Sequence, residues 1–289
     1  MAKAREIKNR ITGVTKTRKI TRTMEMVATS KMQKWQRVVT SSRPYSNNLE
    51  EVLRQLSSAP EASSNPLMES RDHPKRVALL YITSNRGMCG AFNSGLNRRA
   101  KLLYNQYRQE GLEVDLYAIG KKALGFLKHQ GLETFYSDIQ VNETCESDDT
   151  RRIAQALMDR FLAGELDRVE VIYSHYVSAG TQEVTCEQLL PIKPPRGPER
   201  EESETDFIFE PSAATIIETL LPMYVQSMVY RVVAENIASE QSSRRRAMKQ
   251  ATDNADEMIT NLTRGYNRQR QAQITNELTE IIGASAALD

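Results

Sequence analysis

The sequence predicts an α/β domain between two long helical arms that pair as an antiparallel coiled coil. Three observations predict this fold class. Apolar residues at both chain ends recur at helical spacing, and the middle of the chain alternates short apolar runs with helical patterns. Aromatic residues make up only 6% of the 289 residues, which favours a helix-rich protein over a β-sandwich.

Residues 1–57 form the predicted first arm, with a helical pattern over 3–57. The three- and four-residue steps mark a narrow stripe, typical of a seam against another helix. The stripe shifts its frame after Val14 and consists of Ile7, Ile11, Val14, Ile20, Met24, Val27, Met32, Trp35 and Val39. At 1.5 Å per residue the helix is about 80 Å long, and Pro44 is expected to kink it or to end a first section.

Residues 76–192 form the predicted α/β domain, after a Ser-, Pro- and Asn-rich linker over 57–75. Alternating strands and helices indicate a mostly parallel, Rossmann-like sheet. The adjacent Asp148 and Asp149 are expected to cap a helix, and an acidic loop is expected over 199–206. The predicted strands are 77–83, 114–119, 169–176 and 184–190, and the predicted helices are 92–109, 121–130 and 149–164.

Residues 212–289 form the predicted second arm, a helix over 212–286 about 110 Å long. Pro222 predicts a kink or a short first helix, and Gly283 lies where a C-cap belongs. A narrow apolar stripe on a single helix stays in contact with water. The two arms are therefore expected to pair as an antiparallel coiled coil standing on the α/β domain. The stripe contains Ile216, Leu220, Tyr224, Met248, Ala251, Ala255, Met258, Leu262, Tyr266, Ile274, Leu278 and Ile281.

The net charge of +2 hides a strongly basic N-terminal stretch. Residues 1–40 contain eleven Lys or Arg against two Glu, which indicates an acidic partner surface, nucleic acid or lipid headgroups. The sequence contains no run of about 18 apolar residues, so no membrane span is predicted. The N-terminal stretch also lacks the apolar core of a secretory signal. Cys89, Cys145 and Cys186 are too far apart to indicate a disulfide framework, and no Cys/His cluster predicts zinc.

Two segments are candidates for chemistry or binding. The segment 84–90 follows a strand and precedes a helix, which is where α/β folds bind phosphate. It lacks the Lys-Ser/Thr ending of a phosphate-binding loop and the three-glycine pattern of a dinucleotide-binding loop, so a structural turn is favoured. Cys89 within it is expected to be a buried small residue. The stretch 267–277 mixes long polar side chains with the seam, which suits hydrogen bonds to a surrounding partner.

Three blocks of sequence resemble one known family. They comprise Lys19-Ile20-Thr21 with Met24 to Met32, the segment 84–93, and Ala238-Ser239-Glu240 continuing through 251–255 to 274–284. In order, spacing and length over the whole chain they resemble the gamma subunits of F-type ATP synthases, the central rotor shaft. Met88 and Thr23 depart from the residues that are frequent in the family.

The resemblance implies a non-catalytic subunit with no cofactor or metal of its own. The coiled coil stands inside a ring of three alpha and three beta subunits. The α/β domain is the foot, which sits on the c-ring with the epsilon subunit. Proton flow turns the c-ring and the shaft, and the shaft changes the beta catalytic sites; ATP hydrolysis reverses the process. The implied location is the cytoplasmic side of a bacterial inner membrane, as a peripheral subunit present in one copy.

The resemblance also implies contact residues. Met24, Arg244, Gln271, Thr275 and Glu277 match positions of the shaft that interact near or with a beta subunit, and Glu210, with Phe207, matches a foot position at the c-ring. Two alternatives stay open at this point. A basic coiled-coil nucleic-acid-binding protein is favoured by residues 1–40, and a small α/β enzyme with helical arms by the turn at 84–90.

Overall fold

The computed structural model describes residues 2–56, 65–71, 73–141, 145–193 and 212–286. Both ends of this chain are long helices, and the strands lie between them. In chain order the elements are α1 (Ala2–Leu56), β1 (Arg76–Ile82), α2 (Phe92–Gln109), β2 (Glu113–Ile119), α3 (Lys121–His129), β3 (Tyr136–Asp138), α4 (Ser147–Leu162), β4 (Arg168–Tyr176), β5 (Gln182–Leu190) and α5 (Ala213–Ala286).

The five strands form one sheet in the order β3-β2-β1-β4-β5. The first four in this order are parallel, with Leu79 of β1 opposite both Leu116 and Glu170, while β5 runs antiparallel to β4. Six of the seven residues of the central strand β1 are buried, because helices cover both faces of a parallel sheet and its strands are apolar on both sides.

Two apolar clusters lie on opposite faces of the sheet. Alternate residues of β1 divide between them, so that Leu79 and Tyr81 pack with α2 and α3, whereas Leu80 and Ile82 pack on the other face. Helix α4 and parts of α1 and α5 pack on that second face, including Trp35 of α1 and Ala238 of α5. The long helices therefore supply part of the core of the α/β domain.

The predicted fold class is confirmed, and the predicted helices and strands agree closely with those observed. Strand β3, which is only three residues long, was not predicted. The capping prediction was wrong, because Ser147 begins α4 and both Asp148 and Asp149 lie in its first turn. The described part of the predicted linker is packed, with Leu67 buried and its carbonyl accepting a hydrogen bond from the Ile192 N–H.

Neither internal proline ends its helix. Pro44 lies within α1 and Pro222 within α5, and both helices continue past them. Pro222 is flanked by the fully buried Leu221 and Val225. Tertiary packing of this apolar face offsets the lost backbone hydrogen bond, so Pro222 does not produce the predicted short first helix.

The chain divides into two compact units. One consists of residues 1–29 and 244–289, here called the terminal unit, and the other of residues 30–243, the central unit. The division falls inside both long helices. Among the helices of the described residues, none is long and apolar enough to cross a membrane.

Candidate functional site

The terminal unit is built on a seam with an unbroken seven-residue repeat. Seam positions alternate in steps of three and four on both helices, which is the pattern of a left-handed coiled coil. On α1 the buried or half-buried seam residues are Ala4, Ile7, Ile11, Val14, Arg18, Thr21, Glu25 and Ala28. On α5 they are Met248, Thr252, Ala255, Ile259, Leu262, Tyr266, Gln269 and Gln273.

Two contacts fix the direction and register of the seam. The hydroxyls of Thr21 and Thr252 are 2.8 Å apart and share a buried hydrogen bond. Arg18 Nη1 lies 2.7 Å from Asp256 Oδ1. Residue numbers rise along one helix as they fall along the other, so the helices are antiparallel.

The expected shift of frame after Val14 was wrong. Ile20 and Val27, placed on the stripe by their apolar character, are 60% and 52% exposed. The frame continues instead through Arg18, Thr21 and Glu25, which are polar or charged. If small and hydrogen-bonding residues are allowed at seam positions, the sequence pattern keeps one frame through Val14.

Several large apolar residues of the terminal unit lie off the seam and are exposed. On α5 the sequence also misplaced four residues on the stripe, because they are exposed: Met258, Ile274, Leu278 and Ile281. Where exposed apolar side chains recur on one helix face, as Ile274, Leu278 and Ile281 do, they mark a surface that binds another protein. The exposed large apolar residues of the terminal unit are Ile20, Met26, Val27, Met258, Ile274, Leu278, Ile281 and Ile282.

The same unit is strongly basic on α1. Residues 1–29 contain eight Lys or Arg against two Glu, and Lys16, Lys19 and Arg22 are exposed. The surface thus combines apolar side chains with positive charge, which suits a partner with apolar and acidic groups.

The predicted contact residues fall into two groups along α5 and α1. Met24 is half-buried beside the seam, and Arg244 is buried at the start of the α5 part of the terminal unit. Gln271 and Thr275 are exposed one turn apart, and the Thr275 hydroxyl donates to the Gln271 carbonyl at 3.0 Å. Arg244 and Gln271 are about 40 Å apart along the helix axis at 1.5 Å per residue.

Three further predicted contact residues are not placed in detail. Glu277 lies within α5, but its side chain is outside the described part of the structure. Phe207 and Glu210, together with the expected acidic loop over 199–206, lie outside the described residues.

The turn over 84–90 is held by its own side chains. The Ser84 N–H donates to Asn93 Oδ1 at 3.1 Å, and the Ser84 hydroxyl donates to the Arg86 carbonyl at 2.6 Å. Asn93 Nδ2 also donates to Cys89 Sγ at 3.2 Å. Cys89 is buried, as expected. These contacts favour the structural turn over a phosphate-binding loop.

The other thiols are held in their protonated form. Burial, with a smaller effect of Asp149, raises the pKa of Cys145 to about 12. Burial also raises the pKa of Cys186 to about 12, and the neighbouring Glu170 carboxylate adds to the effect. Within the described residues no group of three or more His, Cys, Asp or Glu is arranged to hold a metal ion.

Comparison with known proteins identifies the family. Residues 3–288 match the family model described as ATP synthase. The chain is 42% identical to the ATP synthase gamma chain of Gemmatimonas aurantiaca over 288 residues, covering 100% of this chain and 99% of the relative. The chain belongs to the ATP synthase gamma family. It is also 41% identical to the gamma chain of Leptospira biflexa, with full coverage of both chains.

Solved structures agree with this membership. A chain of the central stalk and c-ring of the Tetrahymena thermophila mitochondrial ATP synthase is 26% identical, with a TM-score of 0.61 over 80% of this chain and 99% of that one. A chain of the Euglena gracilis mitochondrial ATP synthase, in an assembly of OSCP, F1 and c-ring, shares the fold. Its TM-score is 0.68 at 20% identity, over 99% of this chain and 95% of that one.

The resemblance seen in the sequence is therefore confirmed. As a gamma chain, the protein is a central-stalk subunit of an F-type ATP synthase, the complex that synthesises ATP, and a peripheral F1 subunit. Because the family match spans nearly the whole chain, neither the nucleic-acid-binding alternative nor the small-enzyme alternative is retained.

Proposed function

We propose that this gamma chain is a non-catalytic axle that couples rotation of a c-ring to the beta-subunit catalytic sites. The terminal unit turns inside a ring of three alpha and three beta subunits, and during ATP hydrolysis the same unit drives proton pumping in the opposite direction. The observation that carries the proposal is the terminal unit's two-helix seam, which leaves an apolar and basic surface exposed along the outside.

Coupling requires that the axle bind the conformations of a beta subunit unequally. A surface with equal affinity for every conformation shifts no equilibrium, however tightly it binds. The exposed surface meets this requirement because it is uneven. Ile20, Met26 and Val27 lie on α1, whereas Ile274 and Leu278 lie far along α5, so each orientation of the axle presents a different side chain pattern to each beta subunit.

The proposed contacts with beta subunits use both groups of predicted residues. Met24 and Arg244 act near one end of the terminal unit, and Gln271, Thr275 and Glu277 act near the other. Exposure of Gln271 and Thr275 supports this assignment, since both side chains are accessible to a surrounding ring.

The remaining proposed partners are the c-ring and the epsilon subunit. Glu210 and Phe207 are proposed to contact the c-ring, with the epsilon subunit beside the α/β domain. The proposed location is the cytoplasmic face of a bacterial inner membrane, with one copy of this chain in each complex. Family membership supports this arrangement.

Charge reversal on α1 tests the proposed coupling. We expect the triple substitution Lys16→Glu, Lys19→Glu and Arg22→Glu to lower the number of protons pumped per ATP hydrolysed, because it repels an acidic surface of the ring. The measurement is ATP-driven acidification of vesicles that contain the whole complex, with ATP hydrolysis followed in the same sample.

A matched control carries Arg98→Glu and Arg99→Glu, two exposed positions of α2 in the central unit. These reversals are expected to leave the ratio of pumping to hydrolysis unchanged. Unaltered pumping by the triple variant in an assembled complex would count against the proposed role of the basic surface.

A further inference from the structure

Strand β4 extends beyond its neighbour β1, so part of its backbone has no strand beside it on that side, inside the central unit. The pairing of β4 with β1 ends at Ile172, opposite Tyr81, whereas its pairing with β5 continues to Tyr176. The backbone of Ser174 therefore has a strand on one side only. On the other side its polar groups need partners, because Ser174 is buried.

Helix α5 supplies these partners from two consecutive turns. Asn236 Oδ1 accepts a hydrogen bond from the Ser174 N–H at 3.0 Å. The Ser239 hydroxyl donates to the Ser174 carbonyl at 2.8 Å. Two side chains of one helix thus take the place of the missing strand and bind both polar groups of a single residue.

Neighbouring contacts extend this polar connection. Glu235 lies in α5 with its Oε2 2.5 Å from His175 Nδ1 of β4, and its side chain is buried. One turn beyond Ser239, the Ser243 hydroxyl donates to the Cys89 carbonyl at 2.7 Å. Asn236, Ser239 and Ser243 share one face of α5 because they follow one another at spacings of three and four.

One further polar contact joins α5 to the sheet, from Arg231 Nη2 to Glu187 Oε2 of β5 at 2.8 Å. Much of the remaining contact is apolar. Val229, Val232 and Val233 are buried in the core cluster that includes Leu80 and Tyr173 of the sheet. Apolar burial is non-directional, so it opposes separation of the helix from the sheet more than rotation about the helix axis. Hydrogen bonds weaken steeply when their angles change, so the bonds to Ser174 oppose rotation and sliding.

We propose that Asn236 and Ser239 are positioning residues that lock the rotational setting of α5 against the sheet, so that torque carried by this helix passes to the α/β domain without slip. The inference rests on the proposed function, in which the helix carries torque. Helix α5 is continuous from Ala213 to Ala286, so a connection at residues 236–239 acts on the same helix that forms the axle.

The test measures the torsional stiffness of the rotor in a complex of three alpha subunits, three beta subunits and the full chain. The ring is fixed to a surface, the axle is stalled, and a bead is attached through Leu102→Cys, an exposed position of α2. The variance of the bead's angle reports the stiffness. We expect Ser239→Ala to raise this variance by less than twofold, because one of the two bonds to Ser174 is lost while the polar contacts of Arg231, Glu235 and Ser243 remain.

Two comparisons separate the hydroxyl's role from general effects of substitution. Ser239→Thr and Ser239→Val add nearly the same volume, but only Thr keeps the donor, so Thr is expected to preserve the stiffness and Val to lower it. Ser242→Ala is the matched control on the same helix. Ser242 is fully buried, and its hydroxyl has no hydrogen-bond partner among the described residues, so its loss is expected to leave the variance unchanged.

Two results overturn the proposal: wild-type variance in both Ser239→Ala and Ser239→Val, or an equal increase in Ser242→Ala. The same bead distinguishes this failure from failure of the proposed function. If the wild-type complex does not rotate on addition of ATP, the axle function itself is wrong. If the wild type rotates and the Ser239 variants keep its stiffness, only the lock between α5 and Ser174 is wrong.

Discussion

The two units of the chain differ in how they are stabilised. In the central unit, β1 is covered on both faces and two apolar clusters enclose the sheet. In the described part of the terminal unit, the buried side chains are three apolar residues and three polar or charged ones: Ala28, Met248, Ala255, Thr21, Arg244 and Thr252. The central unit thus has its own core, whereas the terminal unit has a thin seam and leaves several large apolar residues exposed.

The largest expected effect is a cavity in the central unit. Leu157 of α4 is fully buried in the core cluster, so Leu157→Ala is expected to lower the free energy of unfolding by about 2–5 kcal/mol. Urea denaturation of the purified chain measures it. The control is Leu102→Ala, since Leu102 is half exposed. Similar losses in both variants would remove the distinction between core and surface.

A carboxylate adds a second, pH-dependent element to the central unit. Asp167 accepts hydrogen bonds from Arg71 Nη1 at 2.5 Å and from the N–H groups of Lys75 and Arg76 at 2.6 and 2.8 Å. Burial alone raises the pKa of Asp167, but these donors outweigh it and hold the pKa below its usual value. The ionised form is therefore favoured by folding.

We expect Asp167→Asn to destabilise the purified chain by about 1.5–3 kcal/mol at neutral pH. A lowered pKa stabilises the fold above the unfolded-state value near 3.8 and ceases to do so as the pH falls through the folded-state pKa. The difference between variant and wild type should shrink in acid, as followed by denaturation at several pH values. Asp148→Asn, at a position whose side chain is 89% exposed, serves as control. A difference independent of pH would contradict the account.

The smallest expected effect concerns the polar seam of the terminal unit. Thr21 and Thr252 share a hydrogen bond, and each hydroxyl also lies within reach of a carbonyl of its own helix, of Arg18 and Met248 respectively. We expect Thr252→Val to destabilise the pairing by about 1 kcal/mol, and Thr21→Val with Thr252→Val to restore most of it through apolar contact.

Amide hydrogen exchange over residues 5–29 measures these changes, and the double-mutant cycle gives the coupling between the two threonines. Strictly additive effects of the two substitutions would show that the shared hydrogen bond does not hold the helices in register.

The elements that sequence analysis predicted well are those with strong periodicity. The helix α2 was predicted to the residue, because Leu96, Ala100 and Leu103 mark one buried face. The strand β3 was missed because three residues carry no usable alternation. The short first helix predicted before Pro222 does not occur, because packing around Leu221 and Val225 overrides the local propensity.

The candidate site was predicted less completely than the fold. The family resemblance indicated which residues to examine, but apolar character alone misplaced Ile20 and Val27 on the seam. Sequence also gave no signal for the bonds to Ser174. Those bonds form because β4 extends past the end of its pairing with β1. This is a feature of the tertiary structure, and the local sequence around Asn236 and Ser239 does not indicate it. The assignments of Met24, Arg244, Gln271, Thr275, Glu277, Phe207 and Glu210 stay predictions.

The seven-residue period of the terminal unit gives it a handedness. Helices whose seam residues repeat every 3.5 residues coil around each other in a left-handed supercoil with a pitch of about 150 Å. A supercoil of one hand tightens when twisted in one sense and loosens when twisted in the other. The seam of the terminal unit therefore responds differently to the two senses of twist: one winds its two helices closer together and the other opens them.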